Sequence, residues 1–449
     1  MPPDLAPRRP TLRAARVLGG RAHRARTEGR DHDAQGPRPS DLRQAHRGDG
    51  VTARAADVIV VGAGPGGAAT AILLAEHGLT VQLLDRARFP RPKICGEYLS
   101  PEAPRVLDRL GVLKTVDGLA TPLAGMRIIA PDGTVVSGEY RAVGDWWPYR
   151  EHAMAIERAL LDEALVERVR ALPIEFREQT RVSDVLVERG QAVGVEALDR
   201  DGRVARLSAT LVIAADGRTS VVAQRLGLRR AHRLKRMALV TYVSGLEGCR
   251  DYGEVFVDPP DYAILNPVAA DRANLSVVVP LDHAAPWSGR LETFFTARIR
   301  HLPHLARRLA GARIVAPVSA MGPLAYEVGT PRVGGVLLVG DAAGFFDPFT
   351  GEGIYAALRS AELAVETAVG ALRTGDCSRR ALADYGRARR RVFGAKARVT
   401  RALQFVISHR GLANLTARVL ARRPGRLDVL LGVIGDFVPP KALVTRHVR

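Results

Sequence analysis

The chain has 449 residues, enough for one large core or two cooperating ones, and its 47% apolar and 25% charged residues are an ordinary globular balance. No run of about 18 uninterrupted apolar residues occurs, which argues against a membrane-spanning helix. Three cysteines far apart (Cys95, Cys249, Cys377), with no C-x-x-C pair, argue against a disulfide framework and against a metal site, and fit a reducing cytoplasm.

The net charge of +19 resolves into two stretches. Residues 1–56 carry twelve Arg against six acids, and residues 379–426 carry fourteen Lys/Arg against the single acid Asp384, so the remainder is neutral overall. Neither stretch interleaves aromatic residues for base stacking or matches a nucleic-acid-binding module. Solvated basic faces are the preferred reading, and no nucleic-acid partner is expected.

Residues 1–55 are rich in Arg, Ala, Gly, Pro and Asp, with almost no aromatic residues and no hydrophobic period, so a disordered basic tail is expected. The stretch lacks the continuous apolar core of a secretory signal. Order is expected to begin at Ala56. Asp57–Val61 reads as a buried strand, Gly62-Ala63-Gly64-Pro65-Gly66-Gly67 as a turn, Ala68–His77 as an Ala- and Leu-rich helix capped by Gly78, and Thr80–Asp85 as the next strand.

This is a Rossmann-type start with a right-handed crossover. Gly62 permits the tight turn, Gly64 lets the backbone approach a pyrophosphate, and Gly67 lets the helix pack close to the strand. The helix N-terminus offers unpaired N–H groups to phosphates. Asp85, 21 residues after Gly64 and followed by Arg86, is placed to accept hydrogen bonds from ribose hydroxyls. The motif leaves open whether the dinucleotide is NAD or FAD.

Farther along, a hairpin is expected over 123–140 around Pro131-Asp132-Gly133. Ala238–Val243, Gly253–Val257 and Ala273–Val279 read as strands of an inserted antiparallel sheet. Two further strands, Leu211–Ala215 and Val336–Val339, end on Asp216-Gly217 and Gly340-Asp341. A long helix follows from about Gly353 to Leu372, and no internal repeat is found.

Ala214-Ala215-Asp216-Gly217-Arg218-Thr219-Ser220, and Gly340-Asp341-Ala342-Ala343 continued by Pro348-Phe349-Thr350-Gly351-Glu352-Gly353, resemble the FAD-binding signatures of the flavoprotein hydroxylase superfamily. Phe89-Pro90-Arg91-Pro92-Lys93-Ile94-Cys95-Gly96-Glu97 resembles the P-x-x-K-x-C-G-E stretch of its geranylgeranyl reductase-like branch. The resemblance runs from about residue 56 to the C-terminus. It implies FAD as cofactor, with Asp341 on the hydroxyls of the flavin chain and the helix from Gly353 and Ile354 aimed at the isoalloxazine pyrimidine ring. It further implies cofactor contacts at Pro65, Gly66, Lys93, Cys95, Gly96, Arg158, Asp216, Gly217, Pro348 and Gly351. Arg158 and Asp162 match an Arg-x-x-x-Asp beside the cofactor, while the bland reading is an i,i+4 surface pair.

Cys95 and Lys93 are the catalytic candidates; the plain alternatives are a buried thiol and a surface cation. The branch's Y-x-W-x-F-P stretch reads here Tyr262-Ala263-Ile264-Leu265-Asn266-Pro267, leaving Tyr262 and Pro267 as substrate-side candidates and setting the central Trp and the Phe aside. Trp146-Trp147-Pro148 does not match the W-x-W-x-I-P of flavin-dependent halogenases.

The expected fold is α/β. A discontinuous Rossmann-type FAD-binding domain (56–122, 151–236, 318–375) carries an inserted β-sheet substrate domain (123–150, 237–317) and a helical C-terminal region (376–449). With one glycine fingerprint, NAD(P)H would reduce the flavin transiently, and a small hydrophobic substrate would occupy the β-domain. Three outcomes follow from the resemblance: reduction of an activated or polyprenyl double bond, hydroxylation of a phenolic or polyketide ring, or electron relay to a partner. From Arg379 onward, basic and apolar residues alternate at helical spacing. Packing on the body is the favoured reading, and peripheral contact with anionic lipid is the other.

Overall fold

β1 (Ala56–Val61) opens the described part of this computed structural model, which comprises residues 56–443 apart from 249, 250, 288 and 424; the expected tail and Cys249 lie outside it. Val58, Ile59 and Val60 are wholly buried, as a central parallel strand covered on both faces requires. Then follow α1 (Pro65–Glu76) and β2 (Val81–Leu84). The expected hairpin is β3 (Gly125–Ile129) with β4 (Val135–Glu139).

The chain continues through α2 (Arg158–Arg170), β5 (Ile174–Arg177), β6 (Arg181–Glu188), β7 (Gln191–Leu198) and β8 (Val204–Ala214). β9 (Arg236–Ser244), β10 (Tyr252–Asp258), β11 (Asp261–Ala269) and β12 (Arg272–Pro280) come next, then β13 (Val336–Leu338) and α3 (Gly353–Thr374). Helices α4 (Ala383–Ile407), α5 (Arg410–Ala421) and α6 (Arg426–Ile434) close the described chain.

Among the described residues two large sheets form. The first runs β5-β2-β1-β8-β7-β6, with β13 also beside β8. β5, β2, β1, β8 and β13 are parallel, whereas β6 and β7 add antiparallel. The β6–β7 hairpin is absent from the expected elements: its buried residues Val182, Val185, Ala192, Val195 and Ala197 break strict alternation, because irregularities interrupt the pairing of the two strands. α1 is buried on almost every face, because it packs between the sheet, α2 and α3. The register pairs Val58 with Leu211 and Val60 with Ile213, so β1, β2, β8 and β13 end together. Gly62 and Asp85 follow those ends directly, and Asp216 and Gly340 after one residue, at the carboxyl edge where α/β sheets bind ligands.

The second sheet runs from Arg313–Ile314 through β9, β12, β11, β10 and β3 to β4. It departs from the expected all-antiparallel insert at one place: β3 and β10 are parallel, Gly125 opposite Tyr252 and Ile129 opposite Phe256. The long excursion between them, through four strands of the first sheet (β5 to β8), permits that pairing, which a short turn cannot. Ser319–Met321, expected with the dinucleotide-binding portion, instead pairs with the outer edge of β9 and covers its unpaired backbone groups. Both sheets belong to one compact unit.

The C-terminal helices pack on this body through an unusual polar stripe. Lys396, Thr400 and Gln404, one turn apart on α4, are all buried. Lys396 pairs with Glu352 at 3.3 Å and Asp436 at 2.7 Å, and Gln404 donates to the Asp347 carboxylate. No helix among the described residues is long and apolar enough to cross a membrane.

Candidate functional site

A cavity of about 980 Å³ opens where the carboxyl edge of the first sheet meets the face of the second. That is the upper end of the range for small-molecule sites. One half is lined by the loops after β1, β2, β8 and β13, and the other by strands of the second sheet.

The glycine loop builds the first wall. Gly62 has φ +96°, a conformation L side chains rarely adopt, and a Cβ on Gly67 would lie 1.7 Å from the Gly62 carbonyl oxygen. Both residues therefore serve the fold of the turn. Gly64 differs: its backbone is extended, and a Cβ there would meet only the guanidinium tips of Arg91 at 3.7 Å and Arg158 at 3.9 Å. Its empty side faces the cavity.

α1 begins there without a side-chain cap and without an acid in its first turn, so its first N–H groups stay free for an anion. Asp85 accepts from Ala63 N at 2.7 Å through one oxygen and from Ala87 N at 2.8 Å through the other. The carboxylate thus braces the loop, and its remaining lone pairs serve a ligand. Arg86 and Pro65 also line this wall.

Arg158 is no surface residue. Its guanidinium grips Asp162 with two bonds of 2.9 Å, Asp162 is wholly buried, and Arg91 approaches the same carboxylate at 3.4 Å. Burial works against the Arg158 charge, but the Asp162 carboxylate more than offsets it and holds the guanidinium above its ordinary pKa. Two cations, Arg91 and Arg158, consequently stand beside Gly64 with a single acid between them.

The second and third acids complete the dinucleotide half. Asp216 accepts from Val221 N at 2.7 Å through one oxygen, while its other oxygen is buried without a hydrogen-bond partner. The Asp341 carboxylate faces the cavity and makes no hydrogen bond to the described residues. Burial pushes its pKa up, against the charges of Lys93, Arg158 and Arg218. Beyond it, Pro348, Gly351, Gly353 and Ile354 line the cavity, and α3 starts there with no side-chain cap and no acid in its first turn.

An uncapped helix end with two arginines, two carboxylates with spare acceptors, and a second uncapped helix end suit the pyrophosphate, hydroxyls and electron-accepting ring of FAD. Asp341→Asn is expected to weaken FAD by about 1.5–3 kcal/mol, roughly ten- to a hundredfold in dissociation constant. Titration of apoprotein checks this; unchanged affinity with a lowered apo melting temperature would mean that Asp341 only stabilises its turn.

The segment Lys93–Glu97 crosses between the halves and is held by groups the sequence reading does not single out. Asn266 Nδ2 donates to Gly96 O at 2.8 Å, and Asn274 Nδ2 donates to Cys95 O at 2.9 Å. Glu97, at the left-handed φ of 57°, accepts from Arg158 N at 3.0 Å and from the Tyr242 hydroxyl at 2.7 Å. Lys93 and Cys95 line the cavity. Desolvation lowers the Lys93 pKa, helped by Arg158 and Arg91, with Asp341 opposing.

Burial raises that of Cys95, with Arg158 opposing, so its thiol holds its proton at neutral pH. Alkylation of Cys95 in apoprotein is therefore expected to reach half its limiting rate at a higher pH than the ~8.5 of a free cysteine. Rapid labelling at neutral pH, mapped to Cys95, would contradict the assignment.

The second half of the cavity is apolar. Met126, Ile128, Val240, Val255, Ile264, Val278 and Met321 project from the second sheet, and Phe345, Leu431 and Ile434 join them. Tyr262 and Pro267 are not among the lining residues: the Tyr262 hydroxyl donates to Asp347 at 2.6 Å behind the wall, and Pro267 lies on the opposite face of β11. Ile264 and Asn266 of that strand take the cavity positions. Trp147 is 71% exposed and away from the cavity.

Known proteins agree with this geometry. Residues 55–401 match the family described as FAD binding domain. A digeranylgeranylglycerophospholipid reductase of Methanothrix thermoacetophila is 30% identical over 341 residues, spanning 73% of this chain and 81% of that protein. Among solved structures, a myxobacterial chondrochloren halogenase aligns with a TM-score of 0.72 and 25% identity over 83% of this chain and 91% of its own. A geranylgeranyl bacteriochlorophyll reductase-like protein from Thermoplasma acidophilum shares the fold, with a TM-score of 0.66 and 22% identity over 87% and 94%. The glycine loop, the paired arginines and the two cavity acids thus lie in an enzyme fold whose sequence matches along most of its length, and the chain belongs to the FAD binding domain family, as an FAD-dependent oxidoreductase of the geranylgeranyl reductase-like branch.

Proposed function

We propose that this enzyme, reduced by NAD(P)H, saturates double bonds of a polyprenyl-type chain. The apolar half of the cavity carries the reading: it is walled by Val, Ile, Met and Phe side chains and runs into the half that fits FAD. A long hydrocarbon gains from such a wall by leaving water, about 25 cal/mol for each Å² buried. A phenolic or polyketide ring would want convergent polar groups, whereas the polar groups of this wall are few: Asn266 Nδ2 and Glu97 are engaged in holding backbone and side chains, which leaves Asn266 Oδ1 as a lone acceptor.

Bound FAD supplies two-electron chemistry. The chain's own residues do the rest. Arg91, Arg158 and the α1 N-terminus would hold the pyrophosphate, Asp341 and Asp85 would accept from hydroxyls, and the α3 N-terminus would stabilise negative charge on the reduced ring. Asn266 and Asn274 fix the backbone of the crossing segment, which places Cys95 at the junction of the two halves, where burial favours the protonated thiol. Saturating a double bond requires one proton besides the hydride, and this thiol is placed to hold it.

The test is NAD(P)H oxidation with a geranylgeranyl-bearing lipid, with and without oxygen. Oxidation without oxygen and a lipid that has gained hydrogen are expected. Oxidation that requires oxygen and releases peroxide or a hydroxylated ring would place the enzyme with the monooxygenases.

A further inference from the structure

We propose that α5 and the end of α4 form a docking surface for an anionic lipid bilayer. The starting observation is an inversion. On α5 the fully buried residues are small, Ala413 and Ala417, with Leu420 partly buried beside them, whereas Leu412, Leu415 and Val419 face outward at 37%, 59% and 41% exposure. Folding alone favours the opposite, since leucine gains more than alanine by leaving water. Phe405, on the last turns of α4, is 60% exposed and extends the surface by its ring contact with His409, 4.5 Å between centroids.

The fringe of this surface is cationic. Arg401, Arg422 and Arg423 are exposed and make no ion pair among the described residues, and α5 contains no acid. Arg410 and Arg418 instead tie α5 to Asp258 and Asp132 on the second sheet, which fixes how the helix presents its apolar side. An apolar helix face bordered by arginines has the make-up of a helix lying in the headgroup region of an anionic membrane. A second copy of this chain is a poorer occupant, because a two-fold contact would set the arginine fringe against itself.

The inner side of α5 ties the surface to the cavity. Ala413 and Ile407 share one apolar cluster with Ile94, Met126, Ile128 and Phe349, all of which line the cavity. The inference adds a place of action to the proposed reaction without depending on it, since vesicle binding needs neither turnover nor reduction.

The experiment is co-flotation of the full-length, flavin-loaded protein with phosphatidylglycerol/phosphatidylcholine vesicles and with phosphatidylcholine vesicles alone. Binding to the anionic vesicles, weakened by salt, is expected. Leu415→Glu with Val419→Glu should lower partitioning about tenfold or more, with flavin content and melting temperature unchanged, and Leu415→Ser should fall between. Failure of the parent to float with anionic vesicles would overturn the proposal. So would a double variant that binds as well as the parent, which would move the contact to the basic tail. Light scattering that shows a parent dimer dissociated by the double change, with flotation intact, would assign the surface to self-association instead.

Discussion

Valine at Gly64 is expected to leave a folded protein without flavin, whereas valine at Gly67 is expected to leave no stable fold. The two glycines stand three residues apart in one loop, yet the space around them differs completely. At Gly64 the backbone is extended, with φ −70° and ψ −178°, and a side chain meets nothing but flexible arginine tips before entering the cavity. The collision is then with the pyrophosphate, and losing its charged hydrogen bonds should weaken FAD at least roughly a hundredfold. At Gly67 a Cβ falls 1.7 Å from a backbone oxygen, so β1 and α1 must separate. That costs more than the ~1–3 kcal/mol of ordinary overpacking. Circular-dichroism melts of the apoproteins with FAD titrations separate the two effects. A Gly64→Val protein that retains full flavin would contradict the placement of the pyrophosphate.

Arg158→Leu should be the most damaging change among the charged residues. Asp162 is wholly buried and loses its two-pronged partner, with only Arg91 at 3.4 Å left to compensate. Breaking a buried pair from one side costs about 3–5 kcal/mol. The double change Arg158→Leu with Asp162→Leu should recover most of that stability, because no buried charge is orphaned, but none of the lost affinity for FAD. Urea unfolding of the apoproteins reads the first quantity and FAD titration the second. Recovery of flavin affinity in the double variant would show that Arg158 acts only through the fold.

What was legible in the sequence was local. The run Val58–Val61, the glycines after it, the helix and Asp85 fall within one unit whose order follows from chain geometry, and the strands before Asp216 and Asp341 carry the same signature. The residues that hold the crossing segment are of another kind. Asn266 and Asn274 meet Gly96 and Cys95 from more than 150 positions away, and Tyr242 meets Glu97 from 145. Nothing near an asparagine in a strand distinguishes a clamp from a solvent-facing amide; only the pairing of the sheets does.

The same limit explains Tyr262 and Pro267. A matched pattern names a strand, but the pleat and Asp347 decide which of its residues face the cavity. Arg158 and Asp162 show the reverse case. Their spacing fits a surface pair equally well, and burial against α1 and the crossing segment is what makes them part of the site.

The central claim, that hydride passes from flavin to a hydrocarbon held in the apolar half, is tested most directly without any nicotinamide. The flavin of the purified enzyme is reduced by light under anaerobic conditions and mixed with a geranylgeranyl-bearing lipid, and its absorbance is followed. Reoxidation in step with the loss of one lipid double bond per flavin is the expected result. A flavin that stays reduced beside the lipid and returns to its oxidised form only when oxygen is admitted would contradict it.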